Sequence, residues 1–269
     1  QDMMRCAKRR RIPVVFALHN LAYDHRRAFE QVDFAIVPSK FSQNYYHTRL
    51  GLNSHVLPNA IDWQRVQVRG SEENGDRHAL PERPFGCCAQ SEPVPILQKF
   101  VTFVNPQPAK GLFVVASIAE QIARRRPDIP ILVVESRGQA SWLEQTNLDL
   151  SWADNLHAMT NTPDPRDFYR VTKLLLMPSL VPESFGLAAA EAMINGIPVL
   201  ASNRGALPEV LGGVEGRGLR VEGQTEACSG GYLIHIPERY TRETTAVPTG
   251  AEVESWVETI IRLWDDETL

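Results

Sequence analysis

The segment Pro182–Ser202, PESFGLAAAEAMINGIPVLAS, constrains the fold more than any other part of the chain. It follows an apolar run, Lys173–Ser179 (KLLLMPS), that reads as a buried strand, and it turns through Val181-Pro182-Glu183. The pattern predicts a helix over 186–194, stopped by Asn195-Gly196, and a further strand over 197–201. A helix that starts at the carboxyl end of a parallel strand points its free N–H groups into the crevice where open α/β sheets bind ligands. The amides of Ser184, Phe185, Gly186 and Leu187 are therefore expected to seat a phosphate, with Gly186 letting the backbone come close. Glu183 stands at the mouth of that seat. Glu191 lies two helical turns deeper, rotated by roughly 80°, among Ala188, Ala189, Ala190 and Ala192. A carboxylate there can accept bonds from two neighbouring hydroxyls, the usual grip on a ribose. Two glutamates at this spacing mean little alone; the strand, proline turn, glycine-bearing helix start and alanine flanks give them meaning.

The rest of the chain keeps the same rhythm. Apolar runs at 12–18 and 33–38 predict strands covered on both faces, with a short third at 55–57. Between them 39–50 reads as a helix with Ser39 or Ser42 as cap and Gly51 as stop. Residues 62–98 break the pattern with a polar stretch and Pro81, Pro84, Pro93 and Pro95, the composition of a linker. Beyond it come strands at 99–104, 131–134 and 174–177, and helices at 110–126, 165–171 and 251–264. Alternation of this kind implies parallel sheets with helices on both faces. The expected division is 1–62, a partial first Rossmann-like domain; 63–98, a crossover; and 99–269, a second domain.

Charge is uneven along the chain. Residues 1–70 carry eleven Lys/Arg against five Asp/Glu, and the remainder seventeen against twenty-seven. The cluster Arg5, Lys8, Arg9, Arg10, Arg11 supplies most of the excess. It reads either as a solvated helix end or as a peripheral contact with an anionic membrane surface. No nucleic-acid reader motif accompanies it, so nucleic acid is not an expected partner. Cys6, Cys87, Cys88 and Cys228 lack the spacing of a disulfide framework or zinc site and read as reduced thiols of a cytoplasmic protein. No apolar run approaches the ~20 residues needed to span a bilayer.

The run P-E-S-F-G-L-A-A-A-E-A-M-I-N-G-I-P-V over 182–199 resembles the Glu, seven residues, Glu signature of retaining glycosyltransferases of family 4. Phe103–Gly111 (FVNPQPAKG) is similar to the loop in which that family places a lysine on the donor diphosphate, here Lys110. Asn105 stands where the family usually has an arginine. Gly205–Glu209 (GALPE) resembles a glycine-and-glutamate segment near the donor. FALHN (16–20) resembles the strand whose histidine, here His19, faces the donor sugar, and VPSKF and VLPNAID resemble further segments, with Ala60 in place of the common glycine.

The resemblance implies the GT-B fold, two Rossmann-like domains with parallel sheets, the first incomplete here and the closing helices cut short. It implies transfer of a sugar from a nucleoside diphosphate sugar, UDP or GDP, to an acceptor hydroxyl of unstated identity, with retention and without a metal or other cofactor. Glu183, Lys110 and His19 would be the catalytic groups. Asn105, Lys110, Glu183, Ser184, Phe185, Gly186, Leu187, Glu191 and Glu209 would hold the donor. Two other readings share these features: a nucleotide-sugar-binding scaffold without turnover, and a sugar-nucleotide epimerase of the same fold.

Overall fold

The structure is a computed structural model and describes residues 2–68, 100–212 and 225–266. Two parallel-dominated sheets organise it. The first has three strands in the order β1 (Val15–Ala17), β2 (Phe34–Val37), β3 (Ser54–Val56), all parallel. Helix α1 (Asp2–Arg9) precedes them, α2 (Lys40–Leu50) links β2 to β3, and the short α3 (Trp63–Val66) follows. Ser39 caps α2, its hydroxyl accepting from Ser42 N, and Gly51 ends the helix in the left-handed region. Both signals were legible in the sequence.

The second sheet has seven strands: β4 (Phe100–Val104), β5 (Ile131–Val134), β6 (Leu156–Met159), β7 (Thr172–Met177), β8 (Val199–Ser202), β9 (Thr225–Cys228) and β10 (Gly231–Ile234). Their spatial order is β6-β5-β4-β7-β8-β10-β9, and every pair is parallel except β9 with β10. Helices α4 (Leu112–Arg125), α5 (Arg166–Tyr169), α6 (Leu187–Ile194), α7 (Leu207–Val210) and α8 (Gly250–Asp265) pack on it. One face carries a cluster built from α4 and α8, including Ile118, Ile122, Trp256 and Ile260; the other carries α6 and α7 with Ala189, Ala192 and Leu207. The alanine run of α6 thus lets the helix lie close to the sheet. Arg125 and Arg126 at the end of α4 pair with Glu254, Glu258 and Asp265 of α8, so these arginines bridge two helices as well as favouring a helix C-terminus.

Three expectations need correction. The first sheet is not covered on both faces by the described residues: Val15 and Phe34 are more than half exposed, while Ala35 and Val37 are buried against α2. The strand Ile12–Leu18 is shorter than its apolar run, since Ile12 is exposed and sits in a turn after α1. Residues 63–68 are not free linker. They pack against α6 and its end, with Val66 buried, Asn195 Nδ2 donating to Val66 O, and Val68 N donating to Asn195 Oδ1. The remainder of the expected linker, from 69 onward, lies outside the described residues, as do Cys87 and Cys88.

Candidate active site

In the larger sheet the strand order reverses between β4 and β7: the chain moves outward through β5 and β6, then returns beside β4 as β7. Loops leaving the carboxyl ends of two such strands diverge and open a crevice. The two loops here are 105–111 and 178–186. They are fastened together where Leu180 N donates to Ala109 O at 3.0 Å. Across them Lys110 Nζ donates to Glu183 Oε1 at 2.5 Å, and Ser179 Oγ donates to the same oxygen at 2.6 Å. Ser179 is buried, and its carbonyl accepts from Ser202 Oγ at 2.8 Å. The carboxylate of Glu183 is therefore oriented by a cation and by a hydroxyl held from behind.

The backbone of Glu183 is fixed equally closely. Glu183 bridges Gly205 in parallel register, and Ala206 N donates to Glu183 O at 2.8 Å. Gly205 has φ +66°, and a Cβ there would lie 2.3 Å from Glu183 N, so any larger side chain would push Glu183 out of place. Gly186, the N-cap of α6, has φ +94°, and a Cβ there would meet Leu207 Cδ2 at 2.8 Å. The glycine is thus demanded by the chain's own conformation and packing, independently of any ligand. No side chain caps α6. Ser184, Phe185, Gly186 and Leu187 line the cleft at this helix start.

The opposite wall comes from the first sheet. His19, just after β1, lines the cleft, and its Nδ1 lies 3.2 Å from Asn59 Oδ1. Ser184 Oγ donates to His19 O at 2.7 Å, while Ser39 Oγ and Ser42 Oγ lie 2.7 and 3.0 Å from Ser184 O. Glu209 adds a further tie: its two carboxylate oxygens accept from Lys40 N (3.0 Å) and Phe41 N (3.2 Å) at the start of α2. A carboxylate placed on the first amides of a helix is favoured by the dipole. Glu209 thus clamps the two sheets together and does not line the cleft. The cleft itself encloses about 750 Å³, within the usual range for sites that take molecules of cofactor size.

Glu191 is set apart from the other expected site residues. Its Oε2 accepts from Tyr169 Oη at 2.9 Å, and it is absent from the cleft lining. Burial holds its pKa above the ordinary carboxylate value, with the Tyr169 hydrogen bond and Arg65 opposing. The same burial, and the Glu191 charge, push the Tyr169 hydroxyl up. A carboxyl group with a raised folded-state pKa stabilises the fold fully at low pH, and that contribution is lost as pH rises from the ordinary carboxylate range through the raised value. Glu191→Gln is accordingly expected to melt at the same temperature as the parent, or higher, near pH 7, and to show a flatter melting-temperature profile above pH 4.5; thermal unfolding from pH 4 to 8 measures this.

Sequence reasoning missed Ser179, Asn59, Tyr169 and Arg137. The first two were inside segments already read, as the serine ending KLLLMPS and the asparagine of VLPNAID; Arg137, in the loop after β5, carries no motif. Among the described residues no three His, Cys, Asp or Glu side chains converge as a metal site would require. Nor is any described helix long and apolar enough to cross a membrane.

Residues 97–227 match the family model of the glycosyl transferases group 1. The chain is 31% identical over 172 residues to a D-inositol 3-phosphate glycosyltransferase of Rhodococcus erythropolis, covering 59% of this chain and 38% of that protein. It is 32% identical over 119 residues to the lipopolysaccharide 1,2-N-acetylglucosaminetransferase of Salmonella typhimurium, covering 40% of this chain and 31% of the relative. A phosphatidyl-myo-inositol mannosyltransferase of Mycolicibacterium smegmatis is 29% identical over 230 residues, 80% of this chain and 59% of that one. Among solved structures, Anabaena HepE in complex with UDP superposes with a TM-score of 0.62 at 16% identity, covering 98% of this chain and 66% of that one. The pneumococcal O-GlcNAc transferase GtfA in complex with UDP and GlcNAc superposes at 0.59 with 15% identity, covering 99% and 48%. The likeness to these structures shows the fold, which is GT-B. The chain spans about a third of the length of the first two curated relatives.

Proposed function

We propose that this chain carries the donor-binding site of a family 4, retaining glycosyltransferase, which transfers a sugar from a nucleoside diphosphate sugar to an acceptor hydroxyl. The observation that carries the reading is the convergence of Lys110, Glu183, the start of α6 and His19 on one cleft at the strand-order reversal. The match to the group 1 glycosyl transferases and the UDP-bound neighbours support it.

In this reading the diphosphate lies against the α6 amides and Lys110, which stabilise the negative charge that grows as the sugar departs. Glu183 and His19 face the sugar, and Glu191 takes the ribose. For Glu191 to do so, its hydrogen bond with Tyr169 must be shared with or yielded to the ribose hydroxyls. The bond between the anomeric carbon and the phosphate oxygen breaks, and the acceptor oxygen bonds to the same face of that carbon. The acceptor proton passes to the departing phosphate. No protein nucleophile is required, so Glu183 serves as an electrostatic and orienting group. The exposed basic helix α1 supports peripheral contact with an anionic surface on the cytoplasmic side of a membrane.

The test is incubation of the chain with UDP-sugars and GDP-sugars, followed by proton NMR of the released or transferred sugar. The expected product keeps the anomeric configuration of the donor. An inverted product excludes the mechanism, and epimerised donor would favour the epimerase reading.

A further inference from the structure

We propose that Arg137 is a donor-binding residue that supplies a cation to the diphosphate; this rests on the donor-site reading above. Among the described residues, Lys110 and Arg137 are the Lys/Arg side chains that line the cleft. Lys110 is committed to Glu183, and such a pair is neutral as a unit. A diphosphate entering the cleft meets Lys110 in competition with Glu183, so the α6 amides and Arg137 must supply the rest of the attraction. The Arg137 side chain makes no hydrogen bond or ion pair with the described residues, which leaves its planar fork available for bidentate contact with phosphate oxygens.

The loop that carries Arg137 is held in place. It leaves β5, the neighbour of β4, and therefore lies beside the 105–111 loop. Ser136 N donates to Gly138 O in a tight turn with Arg137 at its tip, and Ala140 N donates to Glu135 Oε1 at 2.9 Å. Gly138 N donates to Asn105 Oδ1 at 3.1 Å, and a Cβ on Gly138 would lie 2.4 Å from Pro106 O. Asn105 itself has φ +63°, a left-handed conformation that asparagine adopts far more readily than arginine. Asn105 is thereby a positioning residue: its side chain fastens the Arg137 loop to the rim of the cleft, and the positive charge comes from the loop.

The experiment is calorimetric titration of the full chain and its Arg137→Ala, Arg137→Lys and Asn105→Ala variants with UDP and GDP, and NMR-detected binding of uridine or guanosine, whichever matches. Loss of a charge-assisted contact is expected to weaken nucleoside diphosphate binding by about tenfold or more in Arg137→Ala. Nucleoside binding should be unchanged, and Arg137→Lys should recover part of the loss. Asn105→Ala should lose less than Arg137→Ala, and in the same direction. Arg137→Ala binding the diphosphate within twofold of the parent, or losing the nucleoside to the same extent, overturns the assignment while leaving the donor site standing. A parent chain that binds neither UDP nor GDP overturns both readings.

Discussion

Lys110→Ala is expected to weaken binding of the nucleoside diphosphate by about 10–100-fold, the range of a lost charge-assisted hydrogen bond, and to slow donor turnover by about 10²–10³-fold. The second figure exceeds the first because the ammonium is asked to do more as charge accumulates on the departing phosphate. The substitution has a further consequence. Glu183 has a side-chain exposure of 13% and would keep only Ser179 as partner at Oε1, so the neutral Lys110–Glu183 pair would become an unpaired carboxylate beside the expected position of the anion. Lys110 belongs to neither hydrophobic cluster of the larger sheet, so far-UV circular dichroism should be unchanged. Combining Lys110→Ala with Glu183→Gln separates the two contributions. If Glu183 repulsion causes part of the loss, the double variant binds UDP better than Lys110→Ala alone. Isothermal titration of the two variants reads the difference, and Lys110→Ala binding UDP like the parent would remove Lys110 from the site.

Trp256→Ala carries the largest expected cost to stability. Trp256 is 2% exposed and packs from α8 into the cluster formed with α4 and the sheet. Truncation of a buried aromatic side chain to alanine costs about 3–5 kcal/mol. For a domain of this size that corresponds to a fall in melting temperature on the order of 10 °C. The ion pairs from Arg125 and Arg126 to α8 are exposed on their acidic side and cannot make up such a loss. Chemical denaturation should show the parent and the variant with similar slopes and separated midpoints. A shift below about 1 kcal/mol would mean that α8 is a loosely attached appendage of the larger sheet.

The sequence revealed those parts of the fold whose residues carry their own periodicity. Helix α4 was expected over 110–126 and runs from Leu112 to Arg125; α8 was expected over 251–264 and runs from Gly250 to Asp265. Both have an apolar stripe facing the sheet. The elements not foreseen lack such a signal. Strand β6 reads Leu-His-Ala-Met, and β9 reads Thr-Glu-Ala-Cys, half polar because it sits at an edge. Strand β10 follows it by the turn at Ser229-Gly230 and is the one place where the sheet turns antiparallel. Helix α1 was one of two readings of a basic run; Met4, Ala7 and Lys8 form a half-buried face, and none of its residues is fully buried.

In the site, the segments were legible and the pairings were not. Glu183 and Lys110 were named from separate motifs; that one binds the other, across 73 residues, follows from the adjacency of β4 and β7. The partners of two other glutamates have the same origin. Glu209 was placed near the donor, yet its two oxygens find the start of α2, 168 and 169 residues away in the chain. Glu191 was placed at the ribose, and here it holds Tyr169, whose place beside α6 depends on how α5 packs. A motif states which chemistry a stretch can perform, whereas its partners are chosen by topology.

The cleft is expected to bind a nucleoside diphosphate without a metal. Isothermal titration of the purified chain with UDP and with GDP, each with and without magnesium, tests it most directly. The expected result is saturable one-to-one binding of at least one of the two, unaltered by magnesium or by a chelator, and lost or strongly weakened in Glu191→Ala. Absence of binding to both nucleotides in a chain shown by circular dichroism to be folded would contradict it, and so would binding that appears only with the metal.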